Sequence, residues 1–355
     1  HPKTILVDSA LKSLQNLAKR HRDEINIPII GITGTNGKTT SKELIYTVLE
    51  SKYRCYATEG NFNNHIGVPL SILEISGEYD LAIIEMGANH QQEISLLCSI
   101  SKPNYGVITN IGTAHLEGFG SLEGIIKSKN ELYDFIRNNK GHLFVNNEDE
   151  KLLNLSKKIS RTTYGKKGTV NASIAKKETY MQVSYNTKTI YSQLIGDYQF
   201  YNIMLAICIG EHFDIPIKNM KESIKKYKPE NNRSQIIKTK KNTLIMDAYN
   251  ANPSSMSAML TSFSSQEYKN KICILGDMLE LGKYSEIEHQ KIVSLCDKLM
   301  LDVIFIGPEF RKINKDSFIS RESFTSYIQE KPLKNKTILL KGSRGIYLEK
   351  LINKL

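Results

Sequence analysis

The sequence predicts an α/β protein with a doubly wound, mostly parallel central sheet on a phosphate-binding loop, followed by a second, Rossmann-like α/β domain. Three observations predict this fold: a glycine-rich loop between an apolar strand and a helix, short apolar runs that alternate with amphipathic segments, and a restart of that alternation near residue 230. A chain of 355 residues is also long for one ordinary core, which favours two domains.

The central domain is predicted at residues 27–229. Short apolar runs, each followed by a helical period, predict its parallel strands at Ile27 to Ile32, Leu81 to Glu85, Tyr105 to Thr109 and Leu143 to Asn146. The stretch Thr169 to Leu194 is rich in Thr, Tyr and Val between turn residues, which predicts an antiparallel addition. A helix from Tyr201 to His212 is expected to close the domain.

Two further segments flank the central domain. Residues 1–26 carry a helix at Ser9 to His21 and then a charged stretch, and the chain begins with His rather than Met. We therefore expect them to be the tail of a preceding domain and a linker. Residues 230–355 are expected to form the second domain, with strands at Leu244 to Met246, Ile272 to Leu275, Val303 to Ile306 and Ile338 to Leu340.

Composition narrows the function classes. A formal charge of +11 suits anionic ligands, but the lysines are scattered in short clusters without interleaved aromatic residues, so no nucleic-acid binding is expected. No apolar run approaches the roughly 18 residues of a membrane helix and no signal peptide opens the chain, which predicts a cytoplasmic protein without a membrane span. The five cysteines form no C-x-x-C pair, so we expect buried thiols.

A phosphate-binding loop is predicted between the first strand and its helix, in the run Gly31-Ile-Thr-Gly-Thr-Asn-Gly-Lys-Thr-Thr40. Glycines let backbone N–H groups face phosphate oxygens, the helix N-terminus and Lys38 add positive charge, and the Thr39 hydroxyl can bind Mg²⁺. A glycine turn with a chance lysine is disfavoured by the flanking strand and helix. The predicted nucleotide contacts in this loop are Gly34, Thr35, Asn36, Gly37, Lys38, Thr39 and Thr40.

Two side chains at strand ends are candidate ligands for a divalent cation. Glu85 ends an apolar strand, and His115 follows the strand Tyr105 to Thr109 after a short turn. The carboxyl ends of parallel strands face bound nucleotide in doubly wound sheets, which favours Mg²⁺ at Glu85. The alternatives are an acid at a strand end by chance and a structural histidine.

Lys129 lies on the predicted helix from Ser121 to Asn138. By i, i+3 and i+4 spacing it shares a face with apolar residues, whereas Lys127 lies on the side of Glu123. A buried ammonium tends to lose its proton, and the neutral amine can add carbon dioxide to give an anionic carbamate that binds metal. Snorkelling of the side chain along the helix is the equally open alternative.

Seven blocks of the chain resemble the Mur ligase family, and in particular its members that add D-alanyl-D-alanine to a nucleotide-linked peptidoglycan precursor. The blocks span Ile29 to Arg344, nearly the whole chain. They are Gly34 to Thr40, Asn61-Phe-Asn-Asn-His-Ile-Gly-Val-Pro69, Glu85-Met-Gly-Ala-Asn-His90, Ala114-His-Leu-Glu-Gly-Phe-Gly-Ser121, Asp247-Ala-Tyr-Asn-Ala-Asn-Pro-Ser254, Leu275-Gly-Asp-Met-Leu-Glu-Leu-Gly282 and Lys341-Gly-Ser-Arg344.

The resemblance implies ATP and Mg²⁺ as cofactors, bound by a central domain over which the C-terminal domain closes. The roles that it implies are Lys38 and Thr39 at the phosphates and Mg²⁺, Glu85 and His115 as metal ligands, Lys129 as a carbamoylated lysine, Asn202 at the adenine, Arg233 at the phosphates and Asp247 near the ribose. The chain departs from the family at Gln199, where an asparagine beside the adenine is usual. Only the tail of the family's N-terminal, uridine-nucleotide-binding domain is expected here.

UDP-N-acetylmuramoyl-tripeptide and D-alanyl-D-alanine are the implied substrates, and we expect a monomer. The peptide carboxylate would attack the γ-phosphate of ATP, and the dipeptide amine would then displace phosphate from the acyl phosphate. The substrate-binding residues are assigned as Asn61, Asn63, Asn64, His65, Asn250, Asn252, Lys341, Ser343 and Arg344. Lys341 and Arg344 suit the dipeptide carboxylate, with a helix-start role of the Gly-Ser turn as the alternative.

Three rival functions stay open. A folylpolyglutamate synthase is disfavoured because the loop continues Lys-Thr-Thr rather than Lys-Gly-Ser. A ligase that adds a diamino acid is disfavoured because Lys341-Gly-Ser-Arg344 stands where that enzyme has Asp-Asn-Pro-Arg. A module that binds ATP without ligase activity is the rival from another class.

Overall fold

The structure, a computed structural model, describes residues 4–176, 178–230 and 232–355, so residues 1–3 of the predicted segment 1–26 lie outside it. Its strands are β1 Ile29–Thr33, β2 Cys55–Ala57, β3 Leu81–Glu85, β4 Tyr105–Ile108, β5 His142–Asn146, β6 Ser160–Gly165, β7 Val170–Asn171, β8 Ser173–Ile174, β9 Gln182–Tyr185, β10 Lys188–Tyr191, β11 Gln235–Lys238, β12 Thr243–Met246, β13 Lys271–Gly276, β14 Val303–Ile306 and β15 Thr337–Lys341.

The α-helices alternate with these strands over most of the chain, as the sequence predicts. They are α1 Ala10–Glu24, α2 Lys38–Leu49, α3 Gly67–Leu73, α4 Glu93–Ser101, α5 Leu116–Phe119, α6 Leu122–Asn138, α7 Glu150–Leu155, α8 Gln199–His212, α9 Ile217–Lys226, α10 Pro253–Ser265, α11 Ser285–Lys298, α12 Pro308–Ile313 and α13 Arg321–Glu330. Short 3₁₀ turns follow at Gly282–Tyr284, Arg344–Ile346 and Leu348–Leu351. Among the described residues, no helix is long and apolar enough to cross a membrane.

The chain forms two compact units. The N-terminal unit comprises the residues up to Ile111 together with Glu123–Ser173 and Tyr201–Ile224. The C-terminal unit comprises Gly112–Leu122, Ile174–Phe200 and Lys225–Leu355. The division at 224/225 lies near the boundary predicted at 230. Two segments of the predicted central domain, Gly112–Leu122 and Ile174–Phe200, nevertheless belong to the C-terminal unit. The predicted domain limits therefore stay a prediction.

The N-terminal unit is built on a sheet in the order β2-β3-β1-β4-β5-β6-β7, in which the paired strands are parallel. Every residue of β1 and of β3 is buried, because helices cover both faces of a doubly wound sheet. In this order β1 lies between β3 and β4, so the segments that leave their carboxyl ends are neighbours. The predicted fold class is confirmed.

Helix α6 buries the face on which the sequence places Lys129. The buried side chains include Ile125, Leu132 and Ile136, whereas Lys127 is exposed. The predicted placement of Lys129 on the apolar side is thus confirmed, since it is 3% exposed.

The C-terminal unit carries a sheet in the order β11-β12-β15-β13-β14, with β11 antiparallel to β12 and the other pairs parallel. Its core packs Leu244, Ile274, Ile338 and Phe324 with their neighbours. The antiparallel addition predicted after Thr169 includes the hairpin β9–β10. Strands β2, β6 and β11 are absent from the predicted set, because their short or polar sequences have no clear apolar run.

Candidate active site

The phosphate loop has the backbone conformation that its glycines allow. Gly34 has φ 144° and Gly37 has φ 79°, in the region that side chains other than glycine rarely adopt. Gly37 caps α2 without a side chain, so the backbone N–H groups of the first helical turn face the loop. Lys38 Nζ donates to Gly34 O at 2.7 Å and to Thr35 O at 3.2 Å.

The loop is pinned by the end of β4. Thr109 Oγ1 donates to Asn36 O at 2.6 Å, and Asn110 Nδ2 donates to the same oxygen at 2.9 Å. Asn110 also accepts from Thr35 N and from Asn36 N, each at 3.0 Å. Sequence reasoning missed Thr109 and Asn110 as supporting residues, although their position at the carboxyl end of the strand beside β1 was the available signal.

Asn202, the predicted adenine-side residue, lies on α8 beside the loop. Its Oδ1 accepts from Ser41 Oγ at 3.1 Å, and a Cβ added at Gly37 would lie 2.8 Å from the same oxygen. Gln199 is 3% exposed and precedes Asn202 by one helical turn. The loop and the proposed adenine residue therefore meet at Gly37.

We expect Gly37→Ala to weaken ATP binding by at least about tenfold, because the new methyl group would strain a left-handed backbone and displace Asn202. The expected loss of unfolding free energy is only about 1–2 kcal/mol. Titration calorimetry with ATP and thermal unfolding measure the two effects. Gly77→Ala is the matched control, since a Cβ there meets nothing within 4 Å. Unchanged ATP affinity in the Gly37 variant would contradict the proposed cradle.

Glu85 lies where the sequence places it, at the end of β3, and is 2% exposed. Its Oε1 accepts from Thr39 Oγ1 at 3.2 Å and from Asn63 Nδ2 at 2.9 Å. Its Oε2 is buried and has no hydrogen-bond donor among the described residues. A buried carboxylate oxygen without a donor is costly unless a cation occupies the space beside it. The oxygen donors of Glu85 and Thr39 fit a hard ion such as Mg²⁺.

The backbone of Glu85 is held by a short chain of hydrogen bonds that sequence reasoning missed. Glu85 N donates to Thr58 Oγ1 at 3.0 Å, and the buried Lys42 donates through Nζ to Thr58 O. Lys42 follows Lys38 by one turn of α2 and is 1% exposed. This lysine thus connects the phosphate-loop helix to the strand that carries the carboxylate.

Lys129 is buried close enough to Lys38 for their charges to interact. Burial, with repulsion from Lys38 as a smaller cause, lowers the pKa of Lys129 to about 7. A substantial fraction of the amine is therefore neutral near pH 7, the form that carbamate formation requires. The two lysines and the Glu85 carboxylate, together with Thr39, belong to the N-terminal unit.

The predicted substrate-binding residues between Asn61 and His65 have different local contacts. Asn63 bonds Glu85, as described, and its carbonyl accepts from Gly87 N at 2.7 Å. Asn64 Oδ1 accepts from Gly67 N at 2.9 Å, at the start of α3. Asn61 and His65 are exposed, and His65 O accepts from Gln15 Nε2 at 3.0 Å. The loop thus presents polar side chains and contacts the candidate metal carboxylate directly.

His115 belongs to the C-terminal unit, with the segment Gly112–Leu122. It precedes α5 with φ 51°, and its Nδ1 contacts the carboxylate of Glu280. The hydrogen bond from His115 lowers the pKa of Glu280. Tyr284 donates to Gly120 O at 3.2 Å in the same unit. Within the described chain, no group of three or more His, Cys, Asp or Glu side chains forms a metal site, so His115 as a ligand stays a prediction.

Lys341 is the last residue of β15, and Asp247 directly follows the neighbouring parallel strand β12 of the C-terminal unit. Lys341 Nζ contacts Asp247 Oδ2 at 2.6 Å, and Lys341 is 2% exposed. Asp247 Oδ1 accepts from Ser234 N at 3.2 Å. The ion pair with Lys341 therefore holds the Asp247 side chain in one orientation at the carboxyl edge of the sheet.

Three further predicted residues, Arg233, Ser343 and Arg344, lie near the same carboxyl edge of the sheet. Arg233 Cζ lies 3.6 Å from the centre of the Tyr249 ring, and Arg344 Cζ lies 5.3 Å from it. Ser343 accepts from Leu279 N at 2.9 Å and donates to Ala251 O at 3.2 Å, which orders the turn before Arg344.

Two predicted asparagines have local contacts. Asn250 is exposed, and its carbonyl accepts from Lys341 Nζ at 3.5 Å. Asn252 is the N-cap of α10, in a capping box with Ser255. Its side chain therefore has a structural role in addition to any substrate contact.

Comparison with known proteins places the chain in a family. Residues 32–210 match the Mur ligase middle domain, and residues 232–344 match the Mur ligase, glutamate ligase domain. The chain is 34% identical over 371 residues to the UDP-N-acetylmuramoyl-tripeptide–D-alanyl-D-alanine ligase of Bacillus subtilis, covering 99% of this chain and 80% of that protein.

Solved structures show the same relationship. MurF from Acinetobacter baumannii superposes with a TM-score of 0.88 at 28% identity, over 99% of this chain and 81% of that one. The MurF ligase from Thermotoga maritima in complex with ADP gives a TM-score of 0.85 at 25% identity, over 99% and 84%. The chain therefore belongs to the Mur ligase family.

Proposed function

We propose that this chain is an ATP-dependent ligase that joins D-alanyl-D-alanine to UDP-N-acetylmuramoyl-tripeptide, a cytoplasmic step in the synthesis of peptidoglycan precursor. The observation that carries the proposal is the meeting of the phosphate loop with Glu85, whose buried Oε2 has no donor in the described chain. The amino substrate is inferred from the Bacillus subtilis relative, whose name states it.

The N-terminal unit supplies the phosphate side of the reaction. The first turn of α2 offers backbone N–H groups and Lys38 offers an ammonium to the phosphates of ATP. Thr39, Glu85 and a carbamate on Lys129 would hold Mg²⁺, with His115 assigned to the same ion by the family resemblance. When bound, Mg²⁺ neutralises phosphate charge and so favours attack by an anionic nucleophile.

The substrates react in two steps that the residues promote by position and charge. The tripeptide carboxylate attacks the γ-phosphorus of ATP, ADP leaves, and an acyl phosphate forms. The amine of D-alanyl-D-alanine then attacks the acyl carbon, phosphate leaves, and the amide forms with loss of a proton. Lys38 counters the charge that shifts toward the phosphate oxygens.

The C-terminal unit supplies the dipeptide side. Arg344 is exposed, and neither it nor Arg233 has an ion-pair partner in the described part of the chain. We assign Arg233 to phosphate and Arg344 to the dipeptide carboxylate, since guanidinium groups bind both anions in a bidentate manner. Lys341 orients Asp247 toward the ribose, and its remaining contact to Asn250 O holds the segment that follows.

Phosphate release tests the proposed reaction. With ATP, Mg²⁺ and UDP-N-acetylmuramoyl-tripeptide present, addition of D-alanyl-D-alanine is expected to increase the steady-state rate at least about tenfold. The measurement is made on the chain as given and on a form extended upstream to match the relatives. A module that only binds ATP would bind the nucleotide in calorimetry and release no phosphate in response to the dipeptide.

A substrate panel tests the choice of amino substrate. D-alanyl-D-alanine is expected to give the highest kcat/KM when it is offered against single amino acids and against meso-diaminopimelate. Specificity follows because a site built for the dipeptide leaves polar groups unpaired when a shorter amine binds. Preference for meso-diaminopimelate would assign the chain to another branch of the family, and preference for glutamate would favour a folylpolyglutamate-type reaction.

A further inference from the structure

The ring of Tyr249 lies next to two arginine side chains of the C-terminal unit, those of Arg233 and Arg344. It leaves the end of β12 three residues after Met246, which is paired with Gln235 of β11 and with Leu340 of β15. Arg233 precedes β11 and Arg344 follows β15, so the sheet brings both segments to the edge where Tyr249 lies. Residues far apart in the chain therefore meet at a single ring.

The ring contacts two guanidinium groups. The 3.6 Å between Arg233 Cζ and the ring centre is a stacking distance, and the 5.3 Å of Arg344 lies within the range of a cation–π contact. Tyr249 is half-buried, whereas Arg344 is exposed. A planar guanidinium that stacks on a ring keeps its N–H edge free to bind an anion.

Asp247, two residues before Tyr249, already has partners within this unit. Asp247 contacts Lys341 at 2.6 Å and accepts from Ser234, and within the described residues neither arginine pairs with a carboxylate. Two like charges on one ring repel each other, so an anion that binds beside them would stabilise the arrangement. Anionic substrate groups are the counter-ions that the proposed reaction supplies.

We infer that Tyr249 is a positioning residue that holds Arg233 and Arg344 as one receptor for two anions, the phosphate of ATP and the carboxylate of the dipeptide. The inference rests on the proposed function. The aromatic ring sets the separation and direction of both guanidinium groups, so its loss affects the binding of both substrates. The phenolic hydroxyl has no part in this role.

The test compares Tyr249→Leu with Tyr249→Phe in steady-state kinetics. Loss of the ring is expected to raise KM for ATP and for D-alanyl-D-alanine each by about threefold to thirtyfold, with a smaller change in kcat. Phenylalanine is expected to rescue both KM values, because it restores the ring. Tyr327→Leu is the matched control. Tyr327 lies on α13, and its ring also contacts a cation, because Lys331 Nζ lies 5.5 Å from the ring centre. Circular dichroism checks that each variant folds.

Three results would overturn the inference: unchanged KM values in Tyr249→Leu, a change for one substrate only, or a phenylalanine variant as impaired as the leucine variant. If the wild-type chain shows no dipeptide-dependent phosphate release, the proposed function fails separately. The ATP affinity measured by calorimetry then tests whether Tyr249 positions Arg233 for the ATP phosphate. Weaker binding by Tyr249→Leu with rescue by Tyr249→Phe supports that part, and equal binding by all three proteins rejects it.

Discussion

Replacement of Lys129 by alanine is expected to lower D-alanyl-D-alanine-dependent phosphate release by on the order of a thousandfold. The side chain is 3% exposed on α6, and its amine can supply an anionic oxygen only as a carbamate. Alanine removes that donor, so added bicarbonate is not expected to restore activity. A ¹³C resonance of the carbamate, in wild-type protein equilibrated with ¹³CO₂ and absent from the variant, gives a readout independent of activity.

Lys127→Ala is the matched control, because Lys127 is exposed on the opposite side of the same helix. An alanine variant at position 129 that ligates at the wild-type rate would remove the carbamate proposal. Activity without a carbamate resonance in the wild-type protein would assign Lys129 to direct charge neutralisation.

The stability of the metal-free chain should depend on pH through the same lysine. In the unfolded chain Lys129 has the ordinary pKa of 10.5, and in the folded chain about 7. Between these values the unfolded state binds a proton that the folded state does not, so the unfolding free energy rises as pH increases from about 7 to 10.5. Lys129→Met is expected to remove this rise and to stabilise the chain near pH 7 by on the order of a few kcal/mol.

Chemical unfolding in the absence of metal and bicarbonate, at several pH values, measures this effect. Lys127→Met again serves as the control, and it is expected to keep the pH dependence. A methionine variant at position 129 that is less stable than the wild type near pH 7 would show that the buried amine is paired more strongly than its low pKa implies.

Replacement of Glu85 by glutamine is expected to lower kcat/KM by a similar factor, on the order of a thousandfold, because the side chain keeps its volume and loses the charge that balances Mg²⁺. The wild-type carboxylate is 2% exposed, and its Oε2 has no donor in the described chain. Without metal, a neutral amide costs less to bury than a carboxylate, so the metal-free variant should be at least as stable as the wild type.

Thermal unfolding with and without Mg²⁺ and ATP separates the two effects of the Glu85 change. The wild type is expected to gain several degrees from the complex, and the glutamine variant to gain much less. Glu74→Gln, an exposed acid at the end of α3, is the control. A glutamine variant that keeps the full Mg²⁺-dependent gain would show that Glu85 is not a metal ligand.

The N-terminal unit was largely predictable because its signals are local. The strand Leu81–Glu85 has the predicted bounds, and the burial of Lys129 follows from helical spacing. The loop from Gly34 to Thr40 combines strand, glycines and helix within one short run. Each of these features depends on residues that are close together in the sequence. The geometry of a strand or a helix then determines where the element ends and which side chains share a face.

Contacts between distant segments were not predictable in the same way. Thr109 and Asn110 hold Asn36, more than seventy residues earlier, and His115 contacts Glu280 in the C-terminal unit. The sequence shows where the strand before Thr109 ends, but strand order and loop path determine which side chains meet, and one sequence does not show these. The same reason explains why the segment Gly112–Leu122 groups with the C-terminal unit.

The sequence by itself determined the phosphate loop, the position of Glu85 at the end of β3 and the burial of Lys129. These features depend on periodicity and glycine spacing, which act over short distances. Tertiary structure alone decided that Lys341 pairs with Asp247 and that Arg233 and Arg344 share the ring of Tyr249. The physical reason is that charge balance depends on distances through space. Strands that pair in the sheet bring together residues that are far apart in the chain.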